Sequence, residues 1–295
     1  MAERSVSRRT WALPVLIAFM LGGTGCASLE DKGQNAMDDG PQYDRLYVFG
    51  DSYSDTGAGY VDGNGPTAVF YMAEKMGIHL YHAHDPEGRG GSLNFAVSGA
   101  PTGHRDATPI GGEILGLGMT NQVEDFAERV RSGKIAFDPE RTLFFIAGGL
   151  NDRAFDTETT LAHLKEEIEI LKAAGAEHFT LALLPVAISG FDELTKRLNP
   201  AYETFVPEVA KELGIDIRLN HWGYHFDAIF TNPQDYGIVN TTDACAGRAI
   251  FDEDTTPCGN PDGYFYYHGG HPSTAVHKMA GEKLFEEIMA WEHGD

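Results

Sequence analysis

The amino-acid sequence predicts an α/β fold of three layers, in which helices cover both faces of a mainly parallel central sheet. Short apolar runs alternate along the chain with longer stretches whose apolar residues recur at helical spacing. This alternation is typical of parallel sheets joined by crossover helices. Brief connections follow most of the apolar runs, and the sequence contains no internal repeat. The length of 295 residues and the hydrophobic content of 42% suffice for one large core.

The predicted elements begin with a short apolar strand over residues 45–49. Further apolar runs of strand length occupy 93–97, 142–147, 178–184 and 215–219. Stretches with helical spacing occupy 68–76, 121–131, 157–173, 200–213, 220–230 and 273–291. The stretch 157–173 shows the pattern most clearly, because Leu161, Leu164 and Ile168 share one face and Gly175 follows its end. Residues 231–272 are rich in Gly, Pro, Asp and Asn, so we expect irregular structure there.

The N-terminus resembles an export signal. Arginines near residue 8 precede an apolar stretch over 11–21, which is too short to span a bilayer as a helix. We therefore predict a signal peptide over 1–25, a flexible polar tether over 26–43 and one folded domain over 44–295. Cys26 follows small residues, as in bacterial lipoprotein cleavage sites, although Gly23 stands where Leu is usual. We expect a periplasmic or outer-membrane-anchored lipoprotein, and secretion without lipidation at Cys26 is the alternative.

The net charge limits the classes of partner that the chain is expected to bind, and the cysteines bear on the compartment in which it is found. The formal net charge of -22 disfavours binding to nucleic acid and to anionic lipid surfaces. The chain has three cysteines. If Cys26 is processed, Cys245 and Cys258 remain in one loop-rich segment, where an oxidising compartment favours a disulfide. Two separate free thiols are the alternative.

A serine and two histidines are the candidate catalytic groups. Gly50-Asp51-Ser52 follows the first predicted strand directly, and open α/β sheets bind ligands at the carboxyl ends of their strands. The segment from His268 to His271 lies near the other end of the chain. A serine hydroxyl needs such an imidazole as a base before it becomes a useful nucleophile. Ordinary turn chemistry is the alternative explanation for the Gly-Asp-Ser tripeptide.

Two further segments follow predicted strands. Asn151 comes after the strand over 142–147, where its amide can donate to a developing oxyanion. Gly99 follows the strand over 93–97, and a glycine there lets a substrate approach a backbone N–H closely. Taken singly, a turn or cap explains Asn151 better than an oxyanion role does, and an ordinary tight turn is the alternative for Gly99.

The four segments together resemble the SGNH (GDSL-type) hydrolase family, in particular its bacterial GDSL lipases and esterases. The blocks 49–57, 94–100, 149–152 and 271–273 match the family's nucleophile, Asn/Gly, Gly-x-Asn-Asp and histidine blocks in that order. The resemblance implies an SGNH-hydrolase-like α/β/α fold and a serine esterase that needs no metal or organic cofactor. It further implies catalytic Ser52 and His271, and an oxyanion hole from Ser52, Gly99 and Asn151.

One position departs from the family pattern. The family places an Asp three residues before the catalytic histidine, and this chain has His268 there. Three explanations stay open: His268 orients His271, another carboxylate or carbonyl does so with Asp262 as a nearby candidate, or the protein is not catalytic. A metal site on His268, His271 and His277 is disfavoured, because the spacing resembles no standard site.

The sequence thus predicts hydrolysis of carboxylic esters through an acyl-serine intermediate. The expected substrate is a small soluble ester or an acylated saccharide. A phospholipase or lipid acyltransferase of the same family, or a non-catalytic ligand-binding lipoprotein with this fold, are the alternatives. The acyl-chain length, the alcohol moiety and the oligomeric state do not follow from the sequence.

Overall fold

A computed structural model describes residues 43–293 of the chain. The predicted signal peptide, the predicted tether up to residue 42 and Cys26 lie outside the described residues. The strands are β1 Arg45–Gly50, β2 Leu80–His82, β3 Ser92–Asn94, β4 Thr108–Ile110, β5 Glu113–Leu115, β6 Thr142–Ala147, β7 His178–Ala182, β8 Asp216–Asn220, β9 Asn240–Ala244, β10 Tyr264–His268 and β11 His271–Pro272. The α-helices are α1 Ala68–Lys75, α2 Met119–Arg131, α3 Thr157–Ala173, α4 Asp192–Leu213, α5 Trp222–Thr231 and α6 Thr274–His293.

The central sheet has six strands in the order β2-β3-β1-β6-β7-β8, and all of its neighbouring pairs are parallel. In the middle of the sheet Val48 pairs with Asn94 on β3 and with Phe145 on β6. Every residue of β6 is buried, which explains its continuous apolar sequence. This sheet confirms the predicted α/β class with a mainly parallel sheet.

Helices cover both faces of the sheet. The path from β1 through α1 to β2 runs towards one edge, whereas the paths through α2, α3 and α4 run towards the other edge. Because such crossovers are right-handed, α1 lies on the opposite face from those three helices. Helices α5 and α6 pack together, and α6 also packs on α1. The connection after β1 leads to one edge of the sheet and the connection after β6 leads to the other, so a crevice is expected beyond the carboxyl ends of these two strands.

An aromatic cluster fills the core beneath this crevice. The ring of Tyr47 lies 4.7 Å from that of Phe126 and 5.5 Å from that of Phe144, measured between centroids. All three side chains are fully buried. Such contacts add roughly 0.5–1.5 kcal/mol per pair to the burial itself, so they help to hold β1 rigid beneath the site.

The predicted element list omitted the short strands β2, β4 and β5, and it was wrong in two other places. Helix α4 begins at Asp192 rather than at residue 200, and both Pro200 and Pro207 lie inside it. The segment predicted to be irregular contains β9, β10 and β11, which form a small separate sheet. Cys245 follows β9 directly and is joined to Cys258 by a disulfide. Between residues 43 and 293, no helix is both long and apolar enough to cross a membrane.

Candidate active site

The turn after β1 presents Ser52 at the edge of the central sheet. The carbonyl of Asp51 accepts hydrogen bonds from the amides of Ser54 and Asp55, each at 2.9 Å. The carboxylate of Asp51 also accepts the amide of Tyr53 at 3.1 Å. The Asp51 side chain thus provides a local hydrogen-bond acceptor for the backbone of the turn. The turn is therefore rigid, and it holds the Ser52 side chain in a fixed place.

Gly50, which precedes this turn, has no room for a side chain. A Cβ atom at this position would lie 2.8 Å from the carbonyl oxygen of Ala147 on β6. The amide side chain of Gln122 accepts the Gly50 N–H at 3.0 Å and donates to its carbonyl at 2.9 Å. The glycine thus allows β1 and β6 to end close together, directly below Ser52.

His271 lies within hydrogen-bond distance of Ser52. Its Nε2 is 2.8 Å from the Ser52 Oγ, across 219 positions of sequence. Its Nδ1 is 3.2 Å from the carbonyl oxygen of Gly269. A carbonyl only accepts hydrogen bonds, so Nδ1 carries the proton in the neutral ring and Nε2 offers its lone pair to the serine. This tautomer is the one that a general base for Ser52 requires.

His268, which stands at the family's usual Asp position, makes its hydrogen bond to Asp62 rather than to His271. Its Nδ1 lies 2.9 Å from Oδ1 of Asp62, and a carboxylate can only accept, so His268 donates this bond. Asp262, the other group named from the sequence, is exposed on the surface. The carbonyl of Gly269 faces Nδ1 instead, because the reversal between β10 and β11 folds this backbone beneath the ring.

Asp62 is the carboxylate at this site, and the sequence patterns did not reveal it. Its side chain is only 3% exposed, and Oδ2 lies 3.4 Å from Nε2 of His271. The guanidinium of Arg248 lies 3.5 Å from the same oxygen. Burial lowers the pKa of His271, whereas the charge of Asp62 and the Gly269 carbonyl act in the opposite direction. The low pKa keeps the ring neutral at neutral pH, as a base must be.

Backbone amides at the site are available for a ligand. Among residues 43–293, the N–H groups of Ser52 and Gly99 donate to no protein acceptor. Gly99 has a φ of 76°, a left-handed conformation that favours glycine, in the turn after β3. Unpaired amides near a nucleophile are the donors that an oxyanion hole needs.

Asn151 follows β6 and supplies a side-chain donor at the same edge of the sheet. Its Nδ2 donates one hydrogen to the carbonyl of Ala100 at 3.0 Å. This bond fixes the amide plane, and the second hydrogen on Nδ2 has no acceptor among the described residues. The neighbouring Asp152 is buried and accepts the Thr102 amide at 2.9 Å, which ties the Asn151 turn to the loop after Gly99.

Tyr53 joins the serine turn to the histidine turn. Its hydroxyl donates to the carbonyl of Gly270 at 2.8 Å, and its ring lies 5.7 Å from that of His271. His277 packs behind Tyr53 and accepts the amide of Ala68 at 3.2 Å. Burial lowers the pKa of His277 to about 3, so this imidazole is neutral and structural.

A model of the GDSL-like lipase/acylhydrolase family matches residues 46–284. The chain belongs to this family. Membership confirms the family predicted from the four sequence blocks. The matched range contains every residue of the site described above.

Three individual relatives share between 15% and 25% sequence identity with this chain. The thermolabile hemolysin of Vibrio parahaemolyticus is 25% identical over 291 residues, which cover 83% of this chain and 64% of that protein. A lipolytic G-D-S-L family protein from Veillonella parvula is 15% identical with a TM-score of 0.47, over 82% of this chain and 96% of that chain. An acetylxylan esterase from Geobacillus stearothermophilus is 16% identical with a TM-score of 0.42, over 85% and 96%.

Proposed function

We propose that this chain hydrolyses carboxylic esters through an acyl-serine intermediate, with Ser52 as the nucleophile and His271 as the base. The observation that carries the proposal is the 2.8 Å contact between Ser52 Oγ and the lone-pair nitrogen of His271. The tautomer is set by Gly269, so no rearrangement of the ring is needed before it accepts the proton.

The proposed reaction has two halves. In the first, the Ser52 proton moves to Nε2 of His271 while Oγ bonds to the ester carbonyl carbon. The carbonyl electron pair moves to oxygen, where the Ser52 and Gly99 amides and the Asn151 side chain can donate to it. Collapse of this intermediate breaks the bond to the alcohol, which takes the proton from Nε2. Water then repeats the sequence on the acyl-serine and releases the acid.

We propose small, soluble esters or acylated saccharides as substrates. The net charge of -22 supports this choice, because so acidic a surface is repelled by anionic bilayers. Phospholipids and other lipid esters are the rival substrates within the same family.

The test is hydrolysis of p-nitrophenyl esters of increasing chain length by wild-type protein and two serine variants. Ser52→Ala is expected to lower kcat by at least about 1,000-fold, since the hydroxyl forms the covalent bond. Ser54→Ala is the matched control, because it removes a buried hydroxyl from the same turn whose Oγ has no partner among the described residues. We expect it to retain wild-type turnover.

Three results would count against the proposed mechanism or the proposed substrates. Turnover that survives Ser52→Ala would move the nucleophile elsewhere. A folded wild-type protein that hydrolyses none of the esters, yet binds them, would favour the ligand-binding alternative. A rate that rises steadily with chain length would select lipid esters over small soluble ones.

We also propose that the chain is exported and anchored through Cys26. The basic, apolar and small-residue segments before this cysteine support the proposal. Mass spectrometry of the mature N-terminus checks it: a lipidated Cys26 is expected, and an N-terminus that retains residues 1–25 contradicts export with cleavage.

A further inference from the structure

The nitrogen of His271 that faces Ser52 also faces a carboxylate. Oδ2 of Asp62 lies 3.4 Å from Nε2, on the side of the ring opposite to the Gly269 carbonyl. A carboxylate that orients a catalytic histidine usually contacts its Nδ1 instead. We infer that Asp62 supplies the charge that stabilises the protonated His271 in this site, from the Nε2 side. The inference rests on the proposed function of Ser52 and His271.

The position of Asp62 makes its effect different in the two protonation states of the ring. In the neutral ring, the Nε2 lone pair and the carboxylate face each other, which is unfavourable. Once Nε2 has taken the Ser52 proton, the same carboxylate faces an N–H and a positive charge, which is favourable. An interaction that improves only as the reaction proceeds lowers the barrier rather than strengthening substrate binding.

Asp62 is held in place by neighbours that do not touch the serine. His268 donates to Oδ1 at 2.9 Å, and its ring stacks against Tyr60 with 9° between the planes. Arg248 lies 3.5 Å from Oδ2 and is itself placed by Glu253, which accepts the Arg248 amide at 2.7 Å. His268 thus acts through Asp62, as a positioning residue.

The charged and titratable neighbours of His271 differ in whether they favour its protonation, oppose it or are neutral. Asp62 favours the imidazolium, whereas the Arg248 guanidinium and a protonated His268 oppose it. His277 is neutral at neutral pH, because burial holds its pKa at about 3. Tyr53 is neutral too, since burial raises the pKa of its hydroxyl well above the usual value. Asp62 is therefore the one anion among these neighbours.

Asp62 receives no proton in this scheme. The proton travels from Ser52 Oγ to Nε2 and from there to the leaving alcohol, as in the reaction above. The shorter distance, 2.8 Å to Oγ against 3.4 Å to the carboxylate, keeps the transfer path on the substrate side.

The main experiment compares Asp62→Asn with Asp262→Asn. Both remove one negative charge, and the Asp262 side chain is exposed. We expect Asp62→Asn to lower kcat/KM by about 10- to 100-fold, somewhat less than the loss of a direct oxyanion donor. We also expect the acid limb of the pH profile to move down by about one pH unit or more, because an anion near a histidine raises its pKa. Asp262→Asn should change neither.

Arg248→Gln provides a test of the opposite sign. Removal of this cation leaves Asp62 less neutralised, so the acid limb is expected to move to higher pH. If Asp62 served folding alone, the acid limbs of the Asp62→Asn and Arg248→Gln profiles would not move in opposite directions. Parallel shifts in both variants would overturn the inference.

Two substitutions of His268 test how Asp62 is held. His268→Asn keeps a donor near the position of Nδ1 and should preserve most of the activity and the pH profile. His268→Leu removes the donor and is expected to reproduce part of the Asp62→Asn effect. Equal activity in both variants would show that the bond to Asp62 does not matter.

A measurement without turnover separates this inference from the proposed function. In a Ser52→Ala background, NMR titration of the His271 imidazole should show a lower pKa when Asp62 is also replaced by Asn. Circular dichroism of each variant establishes that it is folded. If wild-type protein shows no Ser52-dependent hydrolysis, the proposed function fails. If it is active but Asp62→Asn matches Asp262→Asn in rate and pH profile, only the role of Asp62 fails.

Discussion

Replacing Asn151 by Asp probes the proposed oxyanion hole with the least change in shape. The substitution keeps the size of the side chain but removes both Nδ2 hydrogens, one of which is bonded to the Ala100 carbonyl at 3.0 Å. It also places a negative charge where the ester oxygen becomes negative. Loss of one such donor lowers kcat by about 100- to 1,000-fold, which corresponds to about 3–4 kcal/mol of barrier. The added repulsion should bring Asn151→Asp to the upper end of this range.

The changes in kcat and KM distinguish the loss of the oxyanion donor from a general loss of folded protein. The donor meets the oxygen fully only in the transition state, so kcat should fall while KM stays within about threefold. Stability should fall by about 1–3 kcal/mol, because the buried Ala100 carbonyl loses its partner. Asn121→Asp is the matched control, since the Asn121 side chain accepts the Arg105 amide and a carboxylate can do the same.

The assay is steady-state hydrolysis of p-nitrophenyl acetate, with urea unfolding of each variant. Asn151→Ala is included, because it removes the donor without adding charge and should show a somewhat smaller loss. If Asn151→Asp kept a kcat within threefold of Asn121→Asp, Asn151 would have no part in stabilising the oxyanion.

Two further predictions concern buried groups around the site. Burial raises the pKa of Glu167 from 4.5 to about 8, so stability declines as the pH rises between these values. In urea unfolding, Glu167→Gln should therefore lose less stability than wild-type protein between about pH 5 and pH 9. A stability difference between the two proteins that is the same at both pH values would contradict this prediction. Tyr53→Phe should cost about 1–3 kcal/mol and lower kcat severalfold, because the Gly270 carbonyl loses its donor. Tyr71→Phe, which removes a hydroxyl between α1 and α6, should lower stability alone.

The sequence predicted the parts of the fold that depend on local pattern. The strand β6 and the helix α3 have the bounds expected from their apolar spacing. The start of α4 was misplaced because Pro200 is typical of a first helical turn. In the structure it lies within the helix, where buried residues such as Leu194 and Leu198 offset the lost backbone bond.

The strand β9 was not predicted because its sequence lacks a strand pattern. Its residues are polar and largely exposed, so no apolar alternation marks them as a strand. The strand pairs with β10, and this pairing joins the segment that carries the disulfide to the histidine turn. Only a long-range contact of this kind defines the element, and a single sequence does not display it.

The site shows the same division. Ser52, Gly99 and Asn151 each follow a strand of the parallel sheet, so the pattern of strands predicts that they lie at one edge. Asp62 lies in an irregular segment without any spacing signal, and its bond to His268 spans 206 positions of sequence. The family pattern places a carboxylate at position 268, where this chain has His268. In the structure, the carboxylate near His271 is that of Asp62.

Covalent labelling by a fluorophosphonate, followed by peptide mass spectrometry, tests directly whether Ser52 and His271 act as nucleophile and base. We expect a single phosphonyl adduct on Ser52. Its formation should be abolished in Ser52→Ala, strongly slowed in His271→Ala and unchanged in Ser54→Ala. Labelling of another residue, or labelling of Ser52 at the same rate without His271, would contradict the proposed serine–histidine pair.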